Sequence, residues 1–354
     1  MNDLRNIHHT KKPTVVGWQL YDELPVAPST TVDNPSRSGI VFDSLIENLK
    51  QDLLDANHAR VQREIAAKLG EHGEQAIDAL IDVIRDGEEG AQVLAAYTLR
   101  SMGSSATPQL VNAVLCDAPV VRQKAIWVLY SIGGQQAVAP LIEALHDTYA
   151  KTRRYAAWAL GYLKAVEAIS YLVAAMDDVH DKVRFDAGVA LVKIGGVAAD
   201  ALLETVYTGS VRARKQAVVA LMWLKDERAL AALIHALHDP DPNVRVQAAF
   251  ALGWIADKDA VEPLLDALYD QSAEVRMQAA AALGWIGDAR ALDDLVGMFY
   301  DEDDWVSYSA VEALTNLGDV RAVAPLLAAS RGSVFRVREA ASAALNQLGY
   351  PLPN

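Results

Sequence analysis

A thirteen-residue segment recurs through most of this chain, and no other feature constrains the fold so tightly. Residues 244–256 read VRVQAAFALGWIA and residues 275–287 read VRMQAAAALGWIG. The frame returns at 121–133 (VRQKAIWVLYSIG), 152–164 (TRRYAAWALGYLK), 183–195 (VRFDAGVALVKIG) and 337–349 (VREAASAALNQLG). Weaker copies stand at 61–73, 91–103, 213–225 and 306–318. The second position of each copy, usually Arg, serves as a mark. It falls at Gln62, Gln92, Arg122, Arg153, Arg184, Arg214, Arg245, Arg276, Ser307 and Arg338, always 30 or 31 residues after the last.

Each copy reads as a helix pair. Stretches such as AVAPLIEALHD (137–147) and AVEPLLDALYD (260–270) space Leu and Ile three and four apart, which makes an apolar stripe. Pro140, Pro263 and Pro325 share one place near the start of this first helix, where a missing N–H matters least. The quoted segment is the second helix. Its alanines allow close approach, and its final Gly suits the exit from a helix. The turns between, such as HDPDPN (238–243), are rich in turn formers. Small and medium aliphatics fit this packing: 52% of residues are hydrophobic and only 7% aromatic.

These residues resemble HEAT repeats, in particular the short HEAT-like repeats first associated with phycobilisome lyases. That pattern includes an Asp six residues before the Arg, as at Asp147/Arg153, Asp178/Arg184, Asp239/Arg245 and Asp270/Arg276. The pair reads as structural, a ladder of Asp–Arg hydrogen bonds ordering the turns. The resemblance covers residues 40–349 and implies an all-α fold: a right-handed α-α superhelix, or α-solenoid, of about ten helix pairs. Residues 40–354 form the solenoid in this reading. Residues 1–39, with four prolines and no periodicity, form an extended or disordered arm. Its apolar run around Val15, Val16, Trp18, Leu20 and Tyr21 suits packing on the solenoid itself or docking on a partner.

Charge and composition remove several functions. Asp and Glu outnumber Lys and Arg by 46 to 32, a net charge of −14, the wrong balance for a nucleic-acid groove. One cysteine, Cys116, excludes an internal disulfide framework and a cysteine-ligated metal site. No apolar run is long enough for a membrane span and no secretory signal stands at the N-terminus, so a cytoplasmic protein is expected. The HEAT-like family includes the iron enzyme deoxyhypusine hydroxylase, whose His-Glu dipeptides hold its metal. None of the eight histidines here is followed by Glu, so neither a metal nor a cofactor is expected. Phosphate-binding glycine loops and a nucleophile elbow are absent as well.

The pattern does point to a binding face. Counted from the mark, positions +3, +4 and +7 carry Ala and Leu and face the core, so +1, +2, +5 and +9 face away from it, into the solenoid's groove. At +5 stand Tyr97, Trp127, Trp158 and Phe250; at +9 stand Tyr162, Lys193, Trp223, Trp254 and Trp285. Phe185, Tyr308, Arg154 and Lys215 occupy +1, and Tyr155 occupies +2. Five of the seven tryptophans fall at +5 and +9. An aromatic stripe of this kind marks a binding surface. Trp254 and Trp285, in identical LGWI settings, equally suit a wedge between successive repeats. The expected function is a non-catalytic scaffold or assembly factor that grips a helix or extended segment of another protein. The family resemblance implies an alternative, a bilin lyase holding a linear tetrapyrrole, with Arg154, Lys193 or Lys215 at its propionates.

Overall fold

The computed structural model describes residues 39–56, 59–116 and 118–350. The arm therefore lies outside the described residues, with His8, His9 and Trp18. The described residues form two compact units, one ending at Ala201 and the other starting at Leu202.

The first unit pairs α1 (Gly39–Asp55) with α2 (Ala59–Glu71), α3 (Ile77–Asp86) with α4 (Glu89–Ser101), and α5 (Thr107–Val114) with α6 (Pro119–Ile132). It continues with α7 (Val138–Ala144) and α8 (Ala150–Tyr162), then α9 (Ile169–Ala175) and α10 (Asp181–Ile194). The division falls within α11 (Ala199–Thr208), and α12 (Val211–Leu224) belongs to the second unit. The second unit contains the pairs α13 (Ala229–Ala236) with α14 (Pro242–Ile255), α15 (Val261–Ala267) with α16 (Ala273–Ile286), α17 (Leu292–Gly297) with α18 (Asp304–Leu317), and α19 (Val323–Ala329) with α20 (Phe335–Gln347). The architecture is the all-α solenoid of ten helix pairs that the repeat predicts.

Within each unit, consecutive second helices pack directly on one another, as α6 on α8 and α14 on α16. They also pack on their own first helices, as α6 on α5 and α14 on α13, so the core is a sheet of side chains between two helical layers. The Leu at +7 supplies it in every copy, from Leu69 to Leu345, and all ten are fully buried. Burying one such side chain is worth roughly 2 kcal/mol. Alanine at +3 fills the remaining space: Ala125, Ala156, Ala248 and Ala279 are all buried.

The glycines of the LGWI segment do different work from the one that ends the helix. A Cβ on Gly253 would lie 2.7 Å from the Cα of Ala282, and one on Gly284 would lie 2.6 Å from that of Ala313. Gly161 meets Ala190 in the same way. These sit at +8, in the last turn of the helix, where the next second helix comes closest. The helix exit is at +11, where the backbone takes a positive φ in all ten copies.

The arginine ladder differs from the sequence expectation. The Arg carboxylate partner is not the Asp six residues earlier but the Asp of the following turn, twenty-five residues on. Arg153 donates Nε and Nη2 to the two oxygens of Asp178 at 2.6 and 2.9 Å. Arg245 holds Asp270 at 2.7 and 2.8 Å, and Arg276 holds Asp301 at 2.8 and 2.8 Å. The earlier Asp contributes only its carbonyl: Arg153 Nη1 reaches Asp147 O at 2.7 Å and Arg245 Nη1 reaches Asp239 O at 2.8 Å. One planar fork thus closes its own turn and grips the next. Glutamine keeps half the task, since Gln62 and Gln92 bond the carbonyls of Ala56 and Gly87 at 2.9 Å. Burial would raise the pKa of Asp178, Asp270 and Asp301, but the arginine hydrogen bonds and charge outweigh it and hold all three below the ordinary carboxylate value.

Candidate binding face on the second helices

In the first unit the expected residues come together in one connected group. Tyr97 on α4 meets Trp127 on α6 edge-on, with ring centroids 5.1 Å apart. The Arg100 guanidinium lies 5.6 Å from the first ring and 5.9 Å from the second. One turn further along α6, Tyr130 packs on Trp158 at 4.3 Å and on Tyr162 at 5.3 Å. The Trp158 and Tyr162 rings are 4.5 Å apart, and the Lys193 ammonium sits 3.9 Å from the centre of Tyr162, an intimate cation–π contact. Trp127, Tyr97, Tyr162, Phe185 and Lys193 are half-buried, each with part of its surface open. Tyr155, also half-buried, lies under Lys151 at 5.7 Å.

Trp158 departs from expectation. It is only 9% exposed, covered by Tyr130 and Tyr162, so its ring belongs to the core rather than to an outward stripe. Arg154 departs as well. Its Nε donates to Asp186 at 2.7 Å, so it is not a free cation. Burial pushes the Asp186 carboxyl up, against the pull of Arg154 and Lys182.

The second unit has its own cluster. Trp223 on α12 meets Trp254 on α14 at 5.5 Å, Phe250 stacks on Trp254 at 6.3 Å, and Phe250 meets Trp285 on α16 at 5.6 Å and 90°. The Trp285 ring covers Gly253, where an added Cβ would stand 2.8 Å from ring carbon Cε3. Of the two roles open to Trp285, the wedge between repeats is therefore realised, although the residue stays half-buried. Tyr308 touches the Trp305 ring at 6.0 Å, and burial with Glu312 beside it raises its phenol pKa. Lys215 is exposed.

Sequence reasoning missed Arg100 and Tyr130, both at +8, a position assigned to neither face. The signal was present, since each lies three residues after a chosen ring and so on the same side of its helix. It also missed Trp305 and Phe335, 54% and 66% exposed, which lie outside the four chosen positions. Among the described residues no group of three or more His, Cys, Asp or Glu is placed to hold a metal ion, and no helix is long and apolar enough to cross a membrane.

Paired helices in two layers, with arginine forks from Arg122, Arg153, Arg214, Arg245 and Arg276 tying turns to their successors, define a repeat scaffold rather than a globular domain. The chain belongs to the HEAT-repeat family: the profile described as HEAT repeats matches residues 46–130, 77–155, 138–212 and 230–315. The PBS lyase HEAT-like repeat matches residues 213–239 and 306–332. No curated protein matches the chain. Among solved structures it is similar to Kap121p bound to Nup53p, at 14% identity and TM-score 0.62, over 87% of this chain and 41% of that one. It is also similar to importin beta, at 16% and 0.56 over 86% and 50%. A third is the Kap95:Nup1 complex, at 13% and 0.52 over 89% and 52%. The chain thus spans about half or less of these relatives, and at such identities the likeness is one of fold.

Proposed function

We propose that the protein is a non-catalytic scaffold that binds a segment of another protein across the aromatic face of its second helices. The observation that carries this is the half-buried ring set, Tyr97, Trp127 and Tyr162 in one unit and Trp223, Phe250 and Trp254 in the other. Rings packed edge to edge and still partly open form a rigid apolar surface that loses little entropy when covered. Similar solenoids, Kap121p and Kap95, have been solved with Nup53p and Nup1 bound, which supports a protein as the occupant. The tetrapyrrole alternative calls on Arg154, Lys193 and Lys215 for the propionates. Arg154 is already paired with Asp186, which removes one of the three cations and favours a protein segment.

The test is affinity purification on the full chain, comparing wild type with Trp127→Ala and Phe250→Ala by quantitative mass spectrometry. Clients should be lost from the variants while circular dichroism is unchanged, since truncating a hot-spot ring removes about 2 kcal/mol or more of binding. Equal recovery on all three baits refutes the reading. A saturable red shift on mixing with bilin would restore the alternative.

A further inference from the structure

We infer that the second-helix face of the unit ending at Ala201 takes an acidic protein segment, one whose carboxylates flank apolar or aromatic side chains. This rests on the scaffold reading and specifies the chemistry of its partner.

The chain is acidic, but this face is not. Arg122, Arg153 and Arg184 are engaged in the turns. Apart from them, α4, α6, α8 and α10 carry six cations (Arg100, Lys124, Lys151, Arg154, Lys182 and Lys193) against three anions, Glu89, Asp181 and Asp186. Asp186 is taken by Arg154, and Asp181 accepts the backbone N–H of Lys182 at 2.7 Å. Arg100 and Lys193 have rings rather than carboxylates as their neighbours.

Lys124 is the most telling of them. It is half-buried, three residues before Trp127 on the same side of α6, and makes no ion pair among the described residues. Burial lowers its pKa, against Glu89 and with Lys151 adding to the effect. An ammonium partly stripped of water, with Glu89 near but not in ion-pair contact, is unfavourable in the free protein, and an incoming carboxylate relieves that.

The other aromatic cluster serves as an internal comparison. Apart from the ladder residues Arg245 and Arg276, α14 and α16 carry one charged side chain, Glu274, while α12, which bears Trp223, adds the exposed Arg212 and Lys215. The packing of Phe250 on Trp285 thus goes without a cation on the rings, whereas Arg100 and Lys193 lie on the rings of Trp127 and Tyr162 and make no ion pair among the described residues. A long polyanion such as RNA would meet the repulsion of a chain with net charge −14, whereas a short acidic segment feels mainly the local field.

The experiment selects from a phage-displayed library of random dodecapeptides on the full chain. Three baits are used: wild type, Trp127→Ala, and the triple variant Arg100→Gln/Lys124→Gln/Lys193→Gln. Wild type should enrich Asp and Glu beside Phe, Trp or Leu, and the triple variant should lose the acidic enrichment. By fluorescence anisotropy, the best acidic peptide should bind the triple variant about tenfold more weakly. Its affinity for wild type should fall with added salt. The charge-retaining Arg100→Lys/Lys124→Arg/Lys193→Arg should bind like wild type, which separates lost charge from lost fold. Apolar peptides without acids, bound equally by wild type and triple variant but lost on Trp127→Ala, overturn this inference and leave the scaffold reading standing. Enrichment of basic peptides also overturns it. No enrichment on any bait overturns both.

Discussion

The ten helix exits at +11 offer a test of the repeat's backbone logic that does not depend on any partner. All ten have positive φ, and seven are glycine. The other three are Lys164 (φ 51°), Lys225 (φ 56°) and Ala256 (φ 60°). A side chain in the left-handed region costs roughly 1–2 kcal/mol, because its Cβ crowds the following carbonyl. Replacing it with glycine removes that strain but widens the unfolded ensemble, which returns about 0.4–1 kcal/mol. The balance is a gain of about 0.5–1 kcal/mol per site. Lys164 and Lys225 are exposed and Ala256 has only a methyl to lose, so little contact energy offsets it. The triple variant Lys164→Gly/Lys225→Gly/Ala256→Gly should gain about 2 kcal/mol if the sites add. Urea unfolding followed by circular dichroism should show a raised midpoint with an unchanged slope. The reverse change isolates the same effect: at Gly287 and Gly318 no atom lies within 4 Å of an added Cβ, so Gly→Ala there is a pure backbone perturbation. Each should lose about 1 kcal/mol. A triple variant no more stable than wild type, or alanine tolerated at 287 and 318, would refute the reasoning.

Gly284→Ala should behave differently from Gly287→Ala, because its Cβ would meet the Ala313 backbone at 2.6 Å; a loss of about 1–3 kcal/mol in urea unfolding is expected from overpacking. Arg245→Ala leaves the largely buried Asp270 carboxylate with only the Ser272 N–H and the Asp239 carbonyl without its arginine donor, and should cost about 3 kcal/mol by the same assay, while Arg245→Lys, which lacks the fork, should recover only part of it. The folded-state pKa values of Asp178, Asp270 and Asp301 are depressed, so their stabilisation is present above the ordinary value of 3.8 and is lost as pH falls through it toward the folded values. Asp186 has the opposite sign, its folded pKa being raised, so its contribution is present at low pH and fades as pH rises through the folded value. With three groups against one, melting temperature should drop on acidification below about pH 4, and Asp270→Asn should shrink that drop.

How much was legible depends on whether a residue's role is set inside one repeat or between two. The Leu at +7 and Ala at +3 were readable as core because a helix of known period leaves them no other face. The direction of the arginine fork was not. Arg153, Arg245 and Arg276 each have one Asp six residues before and another twenty-five after, and only the stacking of turns selects the second as the carboxylate partner. Trp127 and Trp158 share position +5, yet one stays half-open and the other is covered, because Tyr130 of the preceding repeat lies on Trp158. The candidate face shows why such differences matter. At three of the four glycines at +8, Gly161, Gly253 and Gly284, the next second helix comes in closest, as α10 on α8, α16 on α14 and α18 on α16, whereas at Gly70 an added Cβ meets only the Thr98 side chain. Where +8 is large, at Arg100, Tyr130 and Met222, the neighbouring second helices pack less extensively. The bulk that keeps them apart at Arg100 and Tyr130 joins the aromatic group. Tight repeat packing and a ring-and-cation surface thus compete for one position. The unit that gives +8 to Arg100 and Tyr130 is also the one where Arg100 and Lys193 lie on the rings, so the proposed acidic-segment site rests on departures from the repeat consensus rather than on the consensus itself.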